Sequence, residues 1–138
     1  MASRSVRTSP VRTAARLLLG GALVFAGVSH LTVARREFQA QVPDWVPLDP
    51  DTTVVASGVA EVALGSALAL APKRLRPWVG AAAAAFFVAV FPGNISQWVR
   101  RRDGFGLDTD EKRFGRLFFQ PVLVAWAWWS TRTPGASR

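Results

Sequence analysis

Cysteine and tyrosine are absent from the 138 residues, and histidine and methionine occur once each. Without a thiolate the chain forms no disulfide, exchanges no thiol and offers no sulfur to a metal. A single histidine excludes a multi-histidine metal centre or a bis-histidine haem within one chain, and a single methionine excludes a methionine cluster for copper. Charge is scarce as well: 19% of residues are Asp, Glu, Lys or Arg, against roughly a quarter in an average soluble domain. No internal repeat is evident.

Long apolar runs fill the space those absences leave. Leu17–Ala34, Thr52–Pro72, Pro77–Val99 and Phe114–Thr131 are each near the roughly 20 apolar residues that a helix needs to cross a bilayer core. The first and third contain no charge, and the second contains only Glu61. An all-α fold is expected, a four-transmembrane-helix antiparallel bundle over residues 14–131. Residues 1–13 read as a disordered basic tail, and residues 132–138 as a second one. The first run with its basic leader imitates a signal peptide, with a passable cleavage site at Thr32-Val33-Ala34. A retained span is the better reading, because the run exceeds a usual signal core and three further runs need a helix to pack against.

The net charge of +8 does not indicate nucleic acid. Arg4, Arg7, Arg12 and Arg16 precede the first run, and Lys73, Arg74 and Arg76 lie in a tight loop, positions that suit anionic lipid headgroups and topology signals. A modest Lys/Arg excess on the termini side places both termini in the cytoplasm. The segment 35–51 is apolar yet broken by Pro43, Pro47 and Pro50, and is expected at headgroup level with Trp45 as its anchor. Asp51 or Thr52 is expected to cap the second helix. The segment 100–113 is a solvated polar loop.

Helix direction places the polar exceptions. His30 lies near the end of the first run, Asn94 and Gln97 near the end of the third, and Arg116 and Gln120 in the first turns of the fourth. In an antiparallel bundle all five share one half of the membrane. Glu61 lies deeper, roughly 14 Å from the start of its helix. Arg116 and Gln120 are four residues apart, and Asn94 and Gln97 three, so each pair shares a helix face. A buried polar cluster of His30, Glu61, Asn94, Gln97, Arg116 and Gln120 is expected, open toward the long-loop side. Glu61 is its centre, Arg116 the expected counter-ion, and His30 the group that ordinarily titrates near neutral pH. The competing structural reading has these side chains fixing helix register, with Asn94 and Gln97 bonding the carbonyl that Pro92 leaves open and Arg116 snorkelling to the surface.

The segments GGALVFAGVSHL, VPDWVP, SGVAEVALGSAL, VAVFPGNISQ and GRLFFQPVLVAWAWW, in this order, resemble the DoxX-like family of small bacterial membrane proteins. The resemblance covers about residues 14–131 and places His30, Glu61, Asn94 and Gln120 on the family's motifs. It implies four transmembrane helices in a bacterial plasma (inner) membrane. Relatives include a subunit of a thiosulfate:quinone oxidoreductase and a protein associated with methylamine dehydrogenase maturation. A redox-associated accessory protein is therefore expected, not an enzyme on its own. No cofactor or metal motif is evident. A quinone is the candidate ligand, its carbonyl oxygens held by donors from His30, Asn94 and Arg116. The lipid bilayer, a membrane redox protein and a second copy of the chain are the candidate partners. The alternatives are a structural or assembly subunit, a small proton-coupled transporter, and a soluble helical bundle.

Overall fold

The computed structural model describes residues 9–100 and 109–132, apart from the side chains of Gln41, Asp110 and Arg113. Among the described residues there is no strand. Five α-helices run in the order α1 (Pro10–Leu31), α2 (Arg35–Phe38), α3 (Pro50–Leu70), α4 (Arg76–Val99) and α5 (Asp110–Ser130), with a 3₁₀ turn, Gln39–Gln41, after α2.

Local chemistry sets where the long helices begin. Ser9 accepts a bond from the backbone N–H of Arg12 at 3.5 Å, and Pro10 follows in the first turn. A proline there gives up no helical hydrogen bond and has its φ already set. Residues 10–13 thus form the first turn of α1 and not part of a tail; residues 1–8 and 133–138 of the expected tails lie outside the described residues. The same arrangement opens α3, but its cap is Asp49 and not Asp51 or Thr52. The Asp49 carboxylate accepts from the Thr52 N–H at 2.9 Å and the Thr52 hydroxyl at 2.6 Å. These two bonds, the hydroxyl's first, hold the Asp49 carboxyl below its ordinary value. Thr109 caps α5 by accepting from the Lys112 N–H at 3.2 Å. Residues 110–113 of the expected polar loop are therefore helical, and residues 101–108 lie outside the described residues.

The four long helices close into a ring in which α1 packs on α3, α3 on α4, α4 on α5, and α5 on α1. Every neighbour is antiparallel. The α1–α3 contact is the closest, and glycine makes it so. A methyl group on Gly20 would stand 2.8 Å from the Gly65 carbonyl oxygen, and one on Gly27 would stand 2.7 Å from that of Gly58. Gly20 and Gly27 are seven residues apart on α1, and Gly58 and Gly65 seven apart on α3, so both contacts fall on one seam. Leu19, Leu23, Leu68, Ala83, Ala84, Phe87 and Ala127 form the small apolar centre.

Large apolar side chains also point outward, among them Phe25, Val59, Leu70, Trp78, Val88 and Phe118. Helices that are apolar on their outer faces suit a lipid surround. Three of them, α1, α3 and α4, are long and apolar enough to cross a membrane. The expected fourth, α5, has the length at 21 residues but not the apolarity, because Arg116 and Gln120 follow a charged first turn.

Arginines close the opposite end of the ring. Arg16 is 3% exposed and donates to the carbonyls of Leu68 and Ala69, the latter at 3.2 Å. Arg12 donates to Arg132 O at 2.8 Å and Trp129 O at 3.1 Å, and Arg76 donates to Ala71 O at 3.1 Å. Each guanidinium meets carbonyls at a helix C-terminus, where the helix dipole is negative. The expectation that Arg12 and Arg16 serve headgroups and topology alone is corrected here: Arg16 is an interior helix cap.

Candidate functional site

The α1–α3 seam builds the first half of the site. Gly58 lies three residues before Glu61, and a methyl group there would stand 2.8 Å from the His30 Cβ. The missing side chain lets His30 approach α3 closely, beside Glu61. His30 Nδ1 lies 2.8 Å from Glu61 Oε2 and 2.8 Å from its own-turn carbonyl, Ala26 O. One N–H cannot point straight at both oxygens. When it donates to Ala26, Glu61 Oε2 is left buried without a hydrogen-bond partner among the described residues. Phe38 stacks on the imidazole with ring centroids 3.2 Å apart, holding it from the loop side.

The α4–α5 pair builds the second half. Pro92 has no N–H to offer the Val88 carbonyl one turn back, so the α4 ladder is weakened there. Gln120 Nε2, from α5, donates to the adjacent Phe87 carbonyl at 2.6 Å. This bond comes from the neighbouring helix and falls one residue before the carbonyl that Pro92 leaves open. A backbone carbonyl only accepts, so this contact orients the Gln120 amide. Its oxygen then faces inward, accepting from Asn94 Nδ2 at 3.3 Å and Arg116 NH1 at 3.2 Å. Asn94 is oriented in turn, and its Oδ1 is buried without a partner among the described residues.

Between the two halves lies a cavity of about 450 Å³. His30, Glu61, Asn94, Arg116 and Gln120 line it, with Leu23, Phe86, Phe87, Val90, Phe119 and Leu123 forming apolar walls. Gln97 is buried a turn beyond Asn94 but is not in the cavity wall. The expected Glu61–Arg116 pair is not formed among the described residues: Glu61 meets His30, while Arg116 bonds Gln120 and lies over the Phe119 ring at 5.4 Å. The two charges sit on different helix pairs, each with a nearer partner.

Sequence reasoning missed the cover. Phe38, Val42, Pro43, Trp45 and Val46 border the cavity at the long-loop end, and Val42 is buried. Trp45, expected as a headgroup anchor, is 72% exposed and borders the cavity as well. Arg35 clamps the segment's base with bonds of 2.6 and 2.5 Å to Asp51, which hold the guanidinium above its ordinary value. Arg100 pairs with Asp44 on its far side. The available signal was the alternation of apolar residues and prolines over 42–48, which suits a segment packed on one face.

His30 and Glu61 are two potential metal ligands. Among the described residues no group of three or more His, Cys, Asp or Glu converges on one point.

Residues 19–131 match the family described as Domain of unknown function (DUF8561). The chain belongs to that family. Comparison with curated proteins and with solved structures gives no match. The DUF8561 match takes in α3, α4 and α5, α1 from Leu19 onward and every residue of the cavity, so the site is part of the family domain and not an appendage.

Proposed function

We propose that this DUF8561 chain is an integral membrane protein of DoxX-like character, a redox-associated accessory subunit whose cavity receives the ring of a small, largely apolar carrier such as a quinone. The observation that carries the reading is the cavity itself. His30, Glu61, Asn94, Arg116 and Gln120, from four helices, converge on a space of about 450 Å³ whose remaining walls are mostly aromatic and aliphatic, with the hydroxyls of Thr53 and Ser57 among them. Ligand sites combine an apolar body with a few placed polar groups in this way. A bundle that used polar side chains only to fix helix register would leave no such space between them.

In this reading α5 is the fourth span. It packs against α4, and Phe118, Phe119 and Val122 point outward. Its two polar residues turn inward and bond partners, which removes much of their cost in lipid. Cations Arg12, Arg16, Lys73, Arg74, Arg76 and Arg132 gather at the termini end, where the described residues include no carboxylate. Over the full sequence Lys and Arg are in modest excess on the termini side, and the first helix usually dominates orientation, so this reading places both termini in the cytoplasm of a bacterial cell.

The test is Glu61→Gln in the full chain. We expect normal expression and an affinity for a short-chain quinone or quinol about tenfold or more below wild type, as follows from losing one charged hydrogen-bonding group in a buried site. Unchanged affinity in a folded variant overturns the proposal. A second reading, a proton-coupled carrier, is favoured by one observation, the Nδ1 of His30 placed between two acceptors. Proteoliposome flux that responds to a pH gradient and is lost in Glu61→Gln selects that reading.

A further inference from the structure

The chain of amide bonds in the site fixes which atom of Asn94 is left without a bond partner among the described residues. Phe87 O can only accept, so Gln120 presents its nitrogen there and its oxygen to Asn94. Asn94 must then spend its N–H₂ on Gln120. The side chain that the sequence offered as a donor for a carbonyl ligand presents an acceptor instead. Asn94 is 3% exposed and its Oδ1 has no partner among the described residues. Glu61 is 8% exposed, and its Oε2, although 2.8 Å from His30 Nδ1, is left without a hydrogen bond when that nitrogen donates to Ala26 O. Both side chains line the cavity, with Arg116, Ser57 and Thr53 as its other polar members beside His30 and Gln120. A buried oxygen left without a donor is costly, and a ligand that supplies one recovers that cost.

We infer that the cavity selects a ligand that enters as a hydrogen-bond donor: a small, largely apolar, ring-sized molecule with two hydroxyl groups, such as an aromatic diol, in preference to the matching dione. One hydroxyl donates to Asn94 Oδ1 and the other to Glu61 Oε2. The aromatic walls Phe86, Phe87 and Phe119 take the ring face. This inference rests on the reading of the cavity as a ligand site and adds the polarity of its occupant. For a carrier with oxidised and reduced forms, the reduced form is the one held.

The experiment uses the full chain in nanodiscs, titrated calorimetrically under reducing, oxygen-free conditions, with protein-free nanodiscs subtracted. Three probes share one tetramethylated six-membered ring: tetramethylhydroquinone, its bulkier dimethyl ether and, without reductant, tetramethylbenzoquinone, which is the closer match in size. The diol is expected to bind about tenfold or more tightly than either of the others, because only it satisfies the buried acceptors. Asn94→Leu should bring the diol-to-ether ratio toward one. Equal or tighter binding of the ether or the dione overturns the donor assignment and leaves the ligand site standing. Failure of all three to bind overturns both. The wild-type ratio decides the question even if the leucine variant does not fold.

Discussion

Arg16 is a charged side chain with 3% of its surface exposed, and its worth lies in the carbonyls it satisfies. Methionine in its place fills similar space but leaves Leu68 O and Ala69 O without that donor. Arg16→Met should lower unfolding stability in detergent by about 1–3 kcal/mol, the usual cost of leaving a buried acceptor unpaired. Gly58 acts through what it lacks. In Gly58→Ala the added methyl meets the His30 Cβ at 2.8 Å and the Gly27 carbonyl oxygen at 3.0 Å. The α1–α3 seam must open, which costs about 1–3 kcal/mol and moves His30 away from Glu61. Gly21→Ala is the matched control, since nothing lies within 4 Å of the new methyl. Denaturant titration of the three proteins side by side checks this. Equal loss from Gly21→Ala and Gly58→Ala would remove the seam as the cause.

At the scale of the element, the helix starts were legible and some of their caps were not. Ser9-Pro10 and Asp49-Pro50 carry the same signal, a capping side chain followed by a proline in the first turn. Asp49 and Asp51 compete for the role in sequence. Asp51 loses because Arg35, sixteen positions away, holds it in a two-bond contact. The Asp49 carboxyl is held below its ordinary value by Thr52 in the folded chain. As pH falls, the unfolded chain therefore takes up the proton first. The cap's contribution is complete above the ordinary carboxylate range, shrinks as pH drops below it, and is gone below the folded value. The difference in thermal midpoint between wild type and Asp49→Ala should be largest near neutrality and shrink as pH falls below the ordinary carboxylate range. A difference that does not change with pH would show that the carboxylate's charge is not what the cap uses.

At the scale of the molecule, the termini end carries only cations among the described residues, while the long-loop end carries charges of both signs. The proposed topology puts the α3–α4 turn and the 42–48 segment on opposite sides of the membrane. The chain has no cysteine of its own, so single substitutions report without background. In intact bacterial cells, Leu48→Cys should react with a membrane-impermeant maleimide, and Lys73→Cys should react only after permeabilisation. The reverse pattern inverts the orientation, and labelling of both in intact cells removes the proposed spans.

Sequence alone indicated that the chain is helical, that long apolar helices dominate it, and that His30, Asn94, Gln97, Arg116 and Gln120 lie toward one end with Glu61 deeper. Hydropathy, helical rise and alternating direction are local properties, and they suffice for depth. The tertiary structure decided the partners: His30 with Glu61, Gln120 with Phe87 O, and Arg16 inside the ring. It also decided that Gln97 stands outside the cavity wall and that Phe38 and Val42 border it. Partner choice depends on how each helix is rotated and how closely its neighbour approaches. Here two glycine pairs set that approach by the side chains they omit, and their effect appears only when both helices are in place.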